Sequence, residues 1–179
     1  CNTYYVGSMS GVVLRTSVGG GVSGWANITS NLGAAGRAVS DIAVDPIDPN
    51  IAYVTLSGFG GGHVFKTTNG LSGSPSWSQI DAGIPDAPAL AILVDPTDHN
   101  VIYAGGDIGL FRSADAGASW QLFMNGLAHA AVYDLVANGA TQSILAFTHG
   151  RGAWRLVWNP ATNPKEASPA NDMIAAAGP

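Results

Sequence analysis

Two aspartate pairs recur in the sequence with the same spacing. Asp45 and Asp48 lie in VDPIDPN, and Asp95 and Asp98 lie in VDPTDHN, fifty positions further on. Hard divalent cations prefer carboxylate oxygens, so each pair is a candidate cation site. A device that recurs with every repeat is more typical of a turn, and the proline inside each pair cannot continue strand pairing. We therefore predict turns at both places and no metal centre.

Seven other polar side chains stand in glycine-rich or variable segments and are candidates for contacting a ligand. They are Arg37, His63, Asp86, Asp107, His129, His149 and Arg151. Asp107 with His149 or Arg151 is the sharpest catalytic combination, because it would place a carboxylate beside a base or a cation. An aspartate in a glycine-rich loop more often closes its own turn, and the histidines lack metal-ligand spacing. We expect a ligand-binding face without catalytic residues, metal or cofactor.

The position of these side chains depends on an internal repeat. Residues 38–54 align with residues 88–104, with the aspartates, an asparagine and a tyrosine in register. Each repeat continues through a basic residue and a tight turn to a tryptophan. The basic residues are Arg15, Lys66 and Arg112, and the tryptophans are Trp25, Trp77 and Trp120. A period of about 40–50 residues is typical of propellers and similar repeat folds.

Alternating apolar residues and turn residues divide each repeat into four short strands. The predicted strands cover 39–44, 51–56, 63–67 and 77–80, and then 89–94, 101–104, 109–113 and 120–123. A lone four-stranded sheet of this size leaves both faces apolar, so successive sheets must stack, and stacking around an axis gives an all-β propeller.

Three to four antiparallel blades are predicted, and their ring is expected to be incomplete in this chain. A partial blade covers 1–37, two blades cover 38–87 and 88–130, and a partial last blade covers 131–158. Residues 159–179 are rich in proline and alanine and are predicted to be a tail or linker.

The segment SADAGASW, from Ser113 to Trp120, resembles the Asp-box S-x-D-x-G-x-x-W of the BNR repeat family. Asp115 is expected to accept N–H groups of its own turn, Gly117 to adopt a positive φ, and Trp120 to cover the outer layer of its blade. Eroded copies keep Thr67, Asn69 and Trp77 in one repeat and Trp25 in another. Because the pattern tolerates loss, these residues are predicted to be structural.

The resemblance extends over roughly residues 4–158, and FTHGRGAW at 147–154 looks like the last-blade signature T-x-G-R-G-x-W. Relatives of this kind include sortilin-like receptors, xyloglucan-cleaving glycoside hydrolases, sialidases and a photosystem II assembly factor. Such propellers usually bind ligands on the face of the variable loops. Ser17 replaces the catalytic aspartate of the xyloglucanase sequence R-T-D-V-G-G, and the arginines are too few for a sialidase.

Composition restricts the partners. The net charge is −5 and no Lys/Arg cluster is present, which argues against nucleic acid. The longest aliphatic run, Ala89 to Val94, is far shorter than the roughly 20 residues that cross a bilayer. Cys1 is the only cysteine, so an internal disulfide is excluded. Whether Cys1 marks a fragment boundary, pairs elsewhere or carries a lipid stays open.

We expect a non-catalytic extracellular or bacterial cell-envelope propeller that acts as a protein- or glycan-binding scaffold in a larger protein or complex. Either the remaining propeller blades or a second copy of the chain would close the ring. One alternative is the C-terminal part of a glycoside hydrolase propeller whose catalytic acids lie outside this segment. Another is an assembly factor for a membrane complex.

Overall fold

The computed structural model describes residues 2–34, 36–123, 127, 129–138, 143–157 and 172–173. Within these ranges the chain forms 15 strands and no helix. The strands build four separate antiparallel sheets. This confirms the predicted all-β class and the repeated sheet.

We name the four sheets blades 1 to 4. Blade 1 contains β1 (Tyr4–Gly7), β2 (Val13–Thr16) and β3 (Ala26–Asn27). Blade 2 contains β4 (Val39–Val44), β5 (Ala52–Leu56), β6 (Val64–Thr67) and β7 (Ser78–Gln79). Blade 3 contains β8 (Ala89–Val94), β9 (Ile102–Gly106), β10 (Gly109–Ser113) and β11 (Gln121–Leu122). Blade 4 contains β12 (Val132–Asn138), β13 (Ser143–Thr148), β14 (Gly152–Val157) and β15 (Asp172–Met173).

Most strands lie where the sequence predicts them, whereas β15 was not anticipated. Asp172 and Met173 pair with Arg155 and Trp154 and so form the outer strand of blade 4. The prediction of a tail is therefore wrong for these two residues. The rest of the predicted tail, 159–171 and 174–179, lies outside the described residues.

The core consists of one apolar cluster at each junction between blades. Tyr5, Tyr53 and Tyr103 share one register position on β1, β5 and β9, and each packs into the junction with the following blade. The neighbouring positions Val54 and Ala104 point the other way and join the junction with the preceding blade. Blades 2 and 3 are thus buried on both faces, as stacked blades require.

Tryptophan side chains link one blade to the backbone of the blade before it. Trp77 Nε1 donates a hydrogen bond to the Ile28 carbonyl, just after β3, at 2.7 Å. Trp120 Nε1 donates in the same way to the Ile80 carbonyl, just after β7. Both rings are buried in the junctions, so the prediction that Trp120 covers its own blade's outer layer is corrected. Trp25 instead donates to the Gly21 carbonyl of its own turn.

The connections sort into two faces. Gly70 N–H donates to the Asn50 carbonyl in blade 2, and Ala116 N–H donates to the Asn100 carbonyl in blade 3. In each of these blades the turn between the first and second strands therefore lies beside the turn between the third and fourth strands. We name this side the turn face. The opposite side carries the second-to-third and fourth-to-first loops and is named the loop face.

The two VDPxDxN segments form turns on the turn face, as predicted. Asp45 Oδ1 accepts the backbone N–H groups of Ile47 and Asp48 at 2.8 and 3.0 Å. In the next blade, Asp95 Oδ1 accepts the N–H groups of Thr97 and Asp98. These carboxylates serve their own turns.

Candidate functional site

Three of the seven candidate ligand residues, Arg37, His63 and Asp86, meet on the loop face at blade 2. Arg37 precedes β4, His63 precedes β6, and Asp86 lies in the loop between blades 2 and 3. Arg37 Nη2 lies 2.8 Å from His63 Nδ1, and His63 Nε2 lies 2.9 Å from Asp86 Oδ1. Three separate loops are therefore held together by one chain of side chains.

The contacts define the tautomer of His63. A guanidinium group only donates hydrogen bonds, so His63 Nδ1 must accept the one from Arg37. The ring proton then stands on Nε2 and is donated to Asp86. The His63 side chain is almost fully buried, and the backbone N–H of His63 donates to Asp81 Oδ2 at 2.6 Å.

Arg37 also fixes the glycine-rich loop that runs from Ser57 to His63. Its Nε donates to the Ser57 carbonyl at 3.0 Å, and its Nη1 donates to the Gly62 carbonyl at 2.6 Å. The guanidinium therefore satisfies both ends of the loop. The arginine is a support for the loop rather than an exposed anion receptor.

Asp86 is the exposed end of this network, with 61% of its side chain accessible. Hydrogen bonds from the Gly60 N–H and from His63 hold the pKa of Asp86 below its usual value. The carboxylate is consequently ionised at neutral pH and carries a fixed negative charge at the rim of the loop face.

The other four candidates do not join the network. Asp107 lies in the turn between β9 and β10, and its backbone N–H donates to the Pro88 carbonyl. His149 packs against the Tyr133 ring at 5.6 Å between centroids, whereas His129 and Arg151 are exposed in loops. Among the described residues, no hydrogen bond or ion pair joins Asp107 to His149 or Arg151, so the structure does not support that catalytic pairing.

Sequence reasoning missed the apolar side chains of the loop face. The second-to-third loops of blades 1, 2 and 3 each expose one large apolar residue. These are Met9, Phe59 and Ile108, which are 83%, 68% and 41% accessible. The available signal was a single bulky residue inside each of the short segments SMSG, GFGG and DIGL.

A partly buried carboxylate of blade 2, Asp41, has a raised pKa. Burial is the main cause for Asp41, and the charge of Asp134 adds to it. Asp41 nevertheless accepts the backbone N–H of Ile42 at 2.7 Å and, across the junction with blade 3, that of Ile92 at 2.8 Å. Both oxygens are thus engaged with backbone, which makes Asp41 a link between β4 and β8.

The segment from Ser113 to Trp120 forms the turn that the sequence predicts from its resemblance to the Asp-box. Asp115 Oδ1 accepts the Ser119 N–H at 2.9 Å and the Ser113 hydroxyl at 2.7 Å. Gly117 has a φ of 94°, which a residue with a side chain rarely adopts. Hydrogen bonds lower the pKa of Asp115 to about 2. The bond from the Ser119 hydroxyl contributes most, and those from the Ser113 hydroxyl and the Ser119 N–H add to it.

The eroded copies retain parts of this arrangement. Asn69 Oδ1 accepts the Thr67 hydroxyl at 3.1 Å and the Ser76 N–H at 2.9 Å, as Asp115 does in its own turn. In blade 1, Val18 N–H still donates to the Thr16 hydroxyl. An amide therefore replaces the carboxylate without loss of the turn.

The described residues contain no group of three or more His, Cys, Asp or Glu side chains that could hold a metal ion. No helix that could span a membrane occurs among them.

Solved structures similar to this chain are β-propellers. The GH74 enzyme of Niastella koreensis aligns with a TM-score of 0.65 and 18% identity, over 90% of this chain and 27% of that chain. YCF48 bound to D1 peptide aligns with a TM-score of 0.61 and 18% identity, over 90% and 49%. The Cps50 (Swd1) propeller domain of Myceliophteria thermophila aligns with a TM-score of 0.67 and 11% identity, over 96% and 53%.

The chain is thus a β-propeller, and it spans about half or less of the structures that it resembles. No protein-family model matches the sequence, and no curated protein matches it either. These likenesses establish the fold alone.

Replacement of Arg37 tests the support of the Ser57–His63 loop. Arg37→Met removes the donors to two carbonyls and to His63, so the free energy of unfolding should fall by about 1–3 kcal/mol. Amide hydrogen exchange in Gly58–Gly62, measured by mass spectrometry, should accelerate. Arg151→Met, in an exposed loop of the same face, is the control. Equal exchange in both variants would show that Arg37 does not hold the loop.

The pH dependence of stability tests the turn built on Asp115. Since the pKa of Asp115 falls from 3.8 to about 2 on folding, its contribution is complete above about pH 4 and is lost as the pH falls towards 2. Urea denaturation of Asp115→Asn should give a shallower loss of stability over this range than the parent chain shows. Asp107→Asn is the control, because the described residues donate no hydrogen bond to that carboxylate. An unchanged slope in Asp115→Asn would refute the structural role of the charge.

Proposed function

We propose that the chain is a non-catalytic binding scaffold whose loop face recognises a protein ligand. The main support for this proposal is the exposure of Met9, Phe59 and Ile108, which lie on the loops between the second and third strands of three consecutive blades. Exposed apolar side chains gathered on one face, with charged groups at the rim, are typical of protein-binding surfaces.

The loop face also has the rigidity that a binding surface needs. Phe59 stands in the loop whose two ends are held by Arg37, and Gly60 of the same loop donates its N–H to Asp86. A side chain presented on a supported loop loses little conformational freedom when it binds. The network of Arg37, His63 and Asp86 therefore serves recognition by positioning Phe59.

Carboxylate chemistry favours binding over glycoside hydrolysis. A general acid needs a raised pKa, whereas hydrogen bonds lower the pKa of Asp86 on the loop face. Asp41 has the raised pKa, but backbone N–H groups occupy both of its oxygens. Because the fold is similar to that of a GH74 enzyme, a carbohydrate-active protein remains the alternative, and the experiment below includes a hydrolysis assay for it.

A propeller with a peptide bound, YCF48 with D1 peptide, gives the proposal a precedent in the same fold. The assembly-factor alternative is one form of the same proposal, in which the protein ligand is a subunit of a membrane complex. We propose an extracellular or cell-envelope location and membership of the Asp-box class of propellers, the latter on the turn geometry of Asp115 and Gly117.

Selection from a random peptide display library tests the proposal. Peptides rich in apolar and aromatic residues should be enriched, and a selected peptide should bind the purified chain in calorimetry. The triple variant Met9→Ser, Phe59→Ser, Ile108→Ser should weaken that binding by at least about tenfold, or about 1.4 kcal/mol.

The matched control changes three exposed apolar residues outside the loop face. The variant Val18→Ser, Val22→Ser, Ile47→Ser should bind the selected peptide as the parent chain does. Equal loss in both triple variants would contradict the assignment to the loop face. Hydrolysis of xyloglucan or another β-glucan by the chain would replace the proposal with the carbohydrate-active alternative.

A further inference from the structure

A pocket opens on the loop face at the junction between blades 2 and 3, and we name it the junction pocket. One wall is the loop between β7 and β8, and the other is the turn between β9 and β10. Phe111, which belongs to the apolar core of the same junction, lies at its floor. The largest side chains of its lining are apolar, namely Ile84, Pro85, Pro88, Ile108 and Phe111.

The dimensions of the junction pocket restrict what can enter it. It encloses about 250 Å³ of space, part of which is open to solvent. The closed part has room only for a group of about the size of a water molecule. A bulky aromatic ring is therefore excluded from its interior, whereas a thin methylene chain can lie along its opening.

Backbone hydrogen bonds align the junction pocket with the loop-face end of the preceding junction. The N–H of Asp107 donates to the Pro88 carbonyl at 3.1 Å, as the N–H of Ser57 donates to the carbonyl just before β4 at 3.0 Å. Asp107 thus corresponds to Ser57. The residue before Pro88 is Ala87, and it corresponds to Arg37.

Small residues in blade 3 replace the two polar side chains that fill this place in blade 2. The cross-strand pairs put Gly109, at the start of β10, in the position of His63. Blade 3 therefore has a methyl group and a hydrogen atom where blade 2 has the guanidinium of Arg37 and the imidazole of His63. Blade 4 also has small residues at both positions, but part of its loop, 124–126 and 128, lies outside the described residues.

Two carboxylates at the junction pocket have oxygens available to a ligand. Asp107 lines the pocket with an exposed side chain, and no described residue donates a hydrogen bond to its carboxylate. Asp86 lies between two lining residues, and its hydrogen bonds from the Gly60 N–H and from His63 both go to Oδ1. None of the described residues donates to Asp86 Oδ2.

The charge of the surrounding loops favours a cationic ligand. The two lining loops, 80–88 and 107–108, contain three aspartates and no lysine or arginine. Arg37, in the neighbouring loop, uses Nε, Nη1 and Nη2 for its contacts within blade 2. A basic group of a partner would therefore meet unopposed negative charge at the opening of the pocket.

The junction pocket is held in shape by the protein itself. The loop 80–88 is tied near its start, where the Trp120 N–H donates to the Ala82 carbonyl at 3.1 Å, and at its end by the Asp107 N–H. A Cβ atom at Gly106 would lie 2.5 Å from the Pro88 carbonyl oxygen, so this glycine lets the two walls approach. A pocket fixed in this way orders little on binding.

We propose that the junction pocket receives an arginine side chain of the protein ligand of the loop face. The methylene groups of the arginine lie on the apolar lining, and its guanidinium donates to the Asp107 carboxylate, whose geometry suits two parallel hydrogen bonds. Arg37 provides the internal precedent, since its guanidinium lies at the equivalent place in blade 2 and donates to the Ser57 carbonyl. This inference rests on the proposed function, because it names a residue that the protein ligand carries.

Parallel peptide selections test the proposal. A random display library is selected on the purified chain and, separately, on Asp107→Asn, whose side chain keeps its shape and loses its charge. Peptides selected on the parent chain should contain arginine beside apolar residues more often than those selected on Asp107→Asn. Asp98→Asn, which removes an exposed carboxylate from the turn face, is the control and should select arginine as the parent does. Equal arginine frequencies on the parent chain and Asp107→Asn would overturn the proposal.

Calorimetry with one selected peptide measures the contact itself. Replacement of its arginine by citrulline, which is neutral and of nearly the same shape, should weaken binding to the parent chain by at least about threefold. The same replacement should have no effect on binding to Asp107→Asn, because the two groups act as a pair. In Asp98→Asn the citrulline effect should be as large as in the parent chain. Circular dichroism verifies that both variants fold.

The outcomes separate this inference from the proposed function. If no selected peptide depends on Met9, Phe59 and Ile108 for binding, the proposed function fails and the inference fails with it. If the triple variant at those positions loses binding while the citrulline effect is the same in Asp107→Asn as in the parent chain, the loop face binds a protein ligand and the arginine assignment is wrong.

Discussion

The structure depends on the burial of both faces of each sheet. In blades 1 to 3 a tyrosine and a basic residue face the following blade, and in blades 2 and 3 apolar residues that include Phe65 and Phe111 face the preceding one, so a sheet alone leaves apolar area in water on both sides. Stacking removes that area. The indole N–H groups of Trp77 and Trp120 fix the stacking by reaching a carbonyl of the preceding blade.

The repeated turn contacts lie on one side of the blades, and the loop face does not share them. The turn face carries the turns whose aspartates accept hydrogen bonds from their own backbone, namely Asp45, Asp95 and Asp115. The contacts of the basic residues lie on the same face. The loops on the other side carry no part of that repeated pattern. The second-to-third loops among them vary in length from the two residues between β9 and β10 to the seven residues between β5 and β6, and their side chains vary with them.

The repeat made the fold predictable, because a register of fifty residues between Asp45 and Asp95 requires two copies of one unit. The turn from Ser113 to Trp120 was predictable for a different reason, because its residues resemble the Asp-box pattern S-x-D-x-G-x-x-W. The contacts of Arg37, His63 and Asp86 were not, since they join loops 23 to 26 residues apart and no motif sets their spacing. The environments of Trp77 and Trp120 also escaped prediction, because their indole N–H groups bond to carbonyls of a neighbouring blade.

In the stacked-blade architecture, Trp77 and Trp120 bridge neighbouring blades. The exchange of their indole protons with solvent tests this architecture most directly. In ¹⁵N-labelled protein, with signals assigned through Trp→Phe variants, the indole N–H groups of Trp77 and Trp120 should exchange slowly with solvent and show cross-peaks to protons of the preceding blade near Ile28 and Ile80. The exposed turn around Trp25 should leave its indole proton to exchange quickly. Fast exchange at Trp77 and Trp120, without cross-peaks to those residues, would contradict the stacked-blade architecture.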